Sequence, residues 1–112
     1  MNDDDMLQIR KDFEAAVNMS PRELEKWLDT KESRDVGWTR DGEDESIGHQ
    51  SGRRIIQIKR ARVEDLDEDD YVHMKKVIGY VHRHLAQGGP ESGRETSRWR
   101  YSLMNWGHDP LK

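Results

Sequence analysis

Residues 67–90 read DEDDYVHMKKVIGYVHRHLAQGGP, and the fold turns on how this stretch is read. Tyr71, Met74, Val77, Ile78, Val81 and Leu85 recur three and four positions apart, the period of a helix with one buried face. Asp67 is placed as the N-cap, with Asp70 in the reciprocal role three residues on, and Gly88-Gly89-Pro90 stops the helix. A long helix with a single apolar arc needs partners to bury that arc. Its neighbours in the chain also read as helices.

On the N-terminal side, Ser51 to Arg62 (SGRRIIQIKRAR) places Ile55 and Ile58 inward with Ile56 on the flank. On the C-terminal side, Ser97 starts a short helix carrying Trp99, Leu103 and Trp106, which Gly107 ends. Near the front, Met19-Ser20-Pro21-Arg22-Glu23-Leu24 combines an N-cap, a proline at the first helical position and a capping-box glutamate. Met19 and Leu24 are spaced for a hydrophobic staple, and Leu24, Trp27 and Leu28 form the buried face of that second helix. A first helix runs from about Met6 to Val17, with Asp3, Asp4 and Asp5 favouring its positive end.

Between Ser33 and Gln50 the periodicity fails, and TRDGEDESIGHQSG reads as a long acidic loop with Trp38 and Ile47 as anchors. The expectation is one all-α domain over residues 1–112. It is a small bundle of about five helices with a long loop at 33–50 between helices two and three, and with disordered ends at 1–5 and 110–112.

Charged residues make up 38% of the chain and hydrophobic ones 32%, so the core is small and its four tryptophans and three tyrosines matter to it. With no cysteine there are neither disulfides nor thiolate metal sites. No apolar run exceeds three residues, which excludes a membrane-spanning helix. The acidic start MNDDDMLQ lacks the features of a signal peptide, so a soluble, cytoplasmic protein without a membrane partner is expected.

The net charge of −4 hides a polarity. Residues 1–47 carry fourteen acids and seven bases, whereas residues 48–112 carry nine and twelve, together with all five histidines. On the fourth expected helix, Lys76, Tyr80, Arg83 and Gln87 line the side opposite the apolar arc. On the third, Arg53, Gln57 and Arg60 do the same, and Arg54 adds a second guanidinium near the helix start. Such stripes suit phosphates, with Gln57 or Arg53 on base edges and Tyr80 stacking on a base. They equally suit a solvated helix face, with Tyr80 packed against the tryptophan-rich segment. Trp99, Leu103 and Trp106 either close the bundle or form a stacking platform rimmed by Arg98, Arg100 and Tyr101.

Other chemistries find less support. His82 and His84, two apart, fall on different helix faces, and no HExxH pattern exists, so no metal is expected. Hydrogen bonding within the fold is the expected role of His82 and His108. The acidic run Glu64 to Asp70 lacks the spacing of a calcium loop. No nucleophile motif or glycine-rich phosphate loop occurs, so neither an enzyme nor a cofactor is expected.

The blocks SPRELEKWL, GHQSGRRIIQI, HMKKVIGYVHRHLAQ and SRWRYSLMNWGHDP resemble those of a bacterial and fungal family, the domain of unknown function 3140, from about Phe13 to Lys112. Members are sometimes labelled DNA-binding, which implies nucleic acid without implying catalytic or binding residues. Together these readings lead to a nucleic-acid-binding protein with weak sequence preference and duplex DNA as partner. Arg53, Arg54, Gln57, Arg60, Lys76, Tyr80 and Arg83 form its expected contact surface. The alternative is a protein-interaction or self-association module that docks through its charge polarity and acidic loop.

Overall fold

Six helices make up the chain, and each starts on a short polar side chain that accepts a backbone N–H three residues on. In the computed structural model, which describes residues 1–112, they are α1 (Asp3–Ala16), α2 (Pro21–Leu28), α3 (Lys31–Asp35), α4 (Ile47–Arg60), α5 (Glu68–Gln87) and α6 (Arg98–Asn105). There is no strand, and short 3-10 turns occupy Val63–Asp65 and Arg94–Thr96. The fold is all-α as expected, with one more helix than the five read from the sequence. The third and fourth helices of that reading are α4 and α5.

Both expected capping boxes form, Ser20 with Glu23 on α2 and Asp67 with Asp70 on α5. In each, a side-chain oxygen takes a free N–H at the helix start and the partner carboxylate takes another. α1 starts earlier than expected because Asn2 caps it, accepting the Asp5 N–H at 2.8 Å, which brings Asp3 to Asp5 into the first turn. Their charges lie where the helix dipole favours them.

α1 lies along α5, α2 lies along α4, and α6 packs across α2, α3, α4 and the side of α5. One core cluster joins Phe13 and Val17 to Leu24, Ile55, Leu103 and the α5 residues Tyr71, Met74, Val77 and Val81. The buried arc of α5 stops at Val81, and Leu85 is 39% exposed. Met19 and Leu24 are both buried, as the staple requires.

The expected 33–50 loop is shorter than the sequence suggested. α3 occupies its start, Val36 to Ser46 form the loop, and α4 begins a turn before Ser51 with Ser46 as cap. α3 escapes a periodicity reading because it has only five residues and a single buried side chain, that of Ser33. The glycine-containing start of α4 hides a helix for a different reason. A methyl group on Gly52 would come within 2.7 Å of the Asn105 carbonyl oxygen and of Leu28. The glycine is there for the close approach of α6, at a cost in helix propensity.

Trp38 does not anchor the loop. Val36 and Ser46 take the buried seats, the Trp38 carbonyl accepts the Ile47 N–H at 2.9 Å, and the indole is left 69% exposed. Ile47 does pack against the core.

The WGHDP end of the chain, expected to fray beyond Asp109, straps the C-terminus of α1. His108 Nδ1 lies 2.7 Å from the Ala16 carbonyl oxygen, completing an otherwise unpaired helix end. Asn18 and Asp109 exchange two hydrogen bonds, of 3.0 and 2.8 Å. The Arg100 guanidinium holds both Asp109 oxygens at 3.1 and 3.0 Å. Burial pushes the Asp109 carboxyl up, but Arg100 and the Leu111 N–H outweigh it and hold the group below its ordinary value. Lys112 then reaches Glu23 at 2.7 Å, which ties the last residue to α2.

Candidate functional site

Where the first half of α4, the middle of α5, the end of α6 and the Val36–Ser46 loop meet, the surface opens into a groove of two adjoining clefts. One has a volume of about 310 Å³ and is bounded by Trp38, Lys76, Tyr80, Arg83 and Trp106. The other, about 470 Å³, is bounded by Arg40, Arg53, Arg54, Gln57, His73 and Lys76. Ile47, Lys76 and Trp106 belong to both, so the clefts are continuous.

The floor is a stack of rings. Trp106 lies nearly parallel to Tyr80 with centroids 4.2 Å apart, and His73 stacks on Trp106 at 6.3 Å. Tyr80 also stacks on His84 at 4.2 Å, and its hydroxyl oxygen lies 3.0 Å from His84 Nε2. Two near-parallel rings at that distance can only cover opposite faces of Tyr80. Tyr80 therefore has no face free for a base and is a packed residue, and burial pushes its phenol up.

The expected cation stripe is divided by carboxylates. Arg53 forms a bidentate pair with Glu45, Arg54 pairs with Asp70 at 3.4 Å, and Arg60 pairs with Glu25 at 3.0 Å. Arg60 lies at the α2 end of α4 and lines neither cleft. The Arg53 guanidinium holds the Glu45 carboxyl below its usual value, and His49 adds to this from the other side. Gln57 borders the second cleft with no side-chain partner. Lys76 and Arg83 are exposed and have no carboxylate partner at all. Arg83 folds back over Gly79, so that a methyl group there would come within 3.0 Å of a guanidinium nitrogen.

His73 is half-buried, with Ser51 Oγ 2.9 Å from its Nε2. Burial, followed by the charges of Arg54 and Lys76, lowers its pKa to about 4, with Asp70 opposing. A native value below the unfolded one means that the unfolded chain binds more protons between about pH 4 and 6.5. The stability contribution is thus complete above pH 6.5 and is lost as the pH falls towards 4. Partial exposure keeps it to roughly 1–2 kcal/mol. Urea unfolding across this window should show a slope that His73→Gln flattens.

The other histidines divide. His49 is buried, its Nε2 2.7 Å from the Leu28 carbonyl and its Nδ1 against Glu45, whereas His82 is exposed and lacks the hydrogen bond expected of it. No three His, Asp or Glu side chains converge as a ligand set. No helix is long and apolar enough to cross a membrane.

A family model described as "Protein of unknown function (DUF3140)" matches residues 12–104, most of the chain. The chain belongs to that family. No curated protein and no solved structure matches it. The DUF3140 match begins in α1 and ends in α6 at Met104, and so takes in most of the groove but stops just before Trp106 of its floor and before the buried polar centre beneath it. That centre is Asn105, which accepts the Trp27 indole N–H at 2.8 Å and the Ser33 hydroxyl at 2.5 Å, and donates to the Ser33 carbonyl at 3.0 Å. A sequence reading passes over Asn105, because a lone asparagine in a tryptophan-rich helix carries no signal. Arg40 carries no signal in the sequence either, and Trp38 reads there as a loop anchor, yet both border the groove.

Proposed function

We propose that this DUF3140 protein binds nucleic acid through the α4–α5 groove, by contacts to phosphates and with little sequence preference. The observation that carries the reading is the pair Lys76 and Arg83, two exposed cations without carboxylate partners on the same edge of a ring-floored cleft. Arg54 and Arg53 extend the positive edge into the second cleft. Their surface ion pairs are worth about 1 kcal/mol or less each, so a phosphate can displace the carboxylates. Arg60 drops out of the expected contact set, and Tyr80 serves as floor. The role is binding without catalysis, cofactor or metal.

The competing reading, a protein-docking module led by the acidic loop, is weakened by what that loop does. Glu43 pairs with Arg40 at 3.6 Å and accepts from Gln50, while Glu45 holds Arg53 and His49. Only Asp41 and Asp44 remain as free charges.

Reversal of both cations, Lys76→Glu with Arg83→Glu, should lower affinity for a labelled oligonucleotide roughly thirtyfold or more at low salt. Arg60→Glu should leave it within about twofold. Both positions of the double variant are exposed, so its circular dichroism should match that of the unaltered chain. Equal affinity for the double variant and the unaltered chain would refute the assignment.

A further inference from the structure

Of the four tryptophans, Trp27, Trp99 and Trp106 are packed against the core, and the first two also donate their indole N–H to a protein oxygen. Trp38 is the exception: it is 69% exposed, it stacks on no other ring, and its N–H has no protein acceptor. Yet it is not a stray surface ring. It forms one wall of the 310 Å³ cleft, near the lower limit of volumes that hold a small ligand, with Trp106 and Ile47 supplying apolar surface. Lys76 and Arg83 border the same cleft, and neither has a carboxylate to neutralise it.

An occupant that complements this site needs a flat ring for Trp38 and negative charge within reach of both cations. Double-helical DNA offers the charge but not the ring, since its bases are covered on both faces by their neighbours. A free strand offers both. Resting on the proposed function, we infer that the partner is single-stranded nucleic acid, with one unstacked base inserted against Trp38 and its flanking phosphates on Lys76 and Arg83. This departs from the duplex expected from the sequence. The second cleft, with Arg54 and Gln57, then carries the strand onward along α4. Base stacking on an aromatic ring is tolerant of base identity, so the site is selective for strand form more than for sequence.

The test compares three labelled polymers by fluorescence anisotropy at one salt concentration: a single-stranded oligonucleotide, its annealed duplex, and an abasic strand of equal length. The single strand is expected to bind about tenfold more tightly than the other two. Trp38→Ala should bring the single strand down to the level of the abasic one while leaving abasic binding unchanged. The ring is exposed and makes no packing contact with the core, so the variant should keep its melting temperature. Equal binding of all three polymers, or an unchanged single-strand affinity in Trp38→Ala, overturns this inference and leaves the phosphate-binding reading standing. No binding of any polymer overturns both.

Discussion

Asn105→Ala should cost about 3–4 kcal/mol of stability, which for a domain of this size lowers the melting temperature by more than 10 °C. Asn105 is 1% exposed and is the point at which α2, α3 and α6 meet. Its truncation leaves the Ser33 hydroxyl and carbonyl unpaired in the interior, and takes the acceptor from the Trp27 indole. Each orphaned buried group costs about 1–3 kcal/mol, and Trp27, only half-buried, recovers part of its share from water. Because Ser33 is the sole buried residue of α3, the loss should also loosen the loop that α3 introduces. Asn105→Asp makes the assignment sharper. It keeps the two acceptor roles but turns a carboxylate oxygen toward the Ser33 carbonyl, so its folded pKa is raised. That variant should be weakest at neutral pH and regain stability as the pH falls below the carboxyl's folded value. Thermal unfolding of both variants at pH 7 and pH 5 checks this.

The second large effect is expected at Trp106→Ala, a loss of about 3–5 kcal/mol. Trp106 is 4% exposed, lies between His73 and Tyr80, and forms the shared floor of both clefts. Removal leaves a cavity that the neighbouring rings fill only in part. It also deprives Tyr80 of one of the two rings that cover it. If the variant stays folded at low temperature, Tyr80 should become accessible to a fluorescence quencher. Denaturant unfolding gives the energetic part, and a cost below 1 kcal/mol would mean that the ring stack contributes little.

Those two residues also mark where the sequence was readable and where it was not. The capping boxes at Ser20 and Asp67 and the apolar arc of α5 were legible because local chemistry alone determines them. So was Trp106 as part of the bundle's closure. Asn105 and Ser33 were not, because their importance lies in meeting each other across 72 positions of chain. Trp38 was misplaced because an indole in a loop is ordinarily drawn inward, and here Val36 had already filled the seat. The arginine stripe of α4 was correctly placed on the outer face. What periodicity could not reveal was that Glu45, Asp70 and Glu25, from three different segments, would each sit beside one of its guanidiniums. Of the five cations in the expected contact set, Lys76 and Arg83 are the two without a carboxylate, and they emerge only once the partners of Arg53, Arg54 and Arg60 have been assigned.

The claim that phosphates occupy the groove is tested most directly by the salt dependence of oligonucleotide binding. Each neutralised phosphate on a single strand contributes about −0.7 to the slope of log affinity against log salt concentration. Contacts from Lys76, Arg83, Arg54 and Arg53 predict a slope of about −3 for the unaltered chain, falling to about −1.4 when Lys76 and Arg83 are both reversed. A flat slope for the unaltered chain, or the same slope in both proteins, would contradict it.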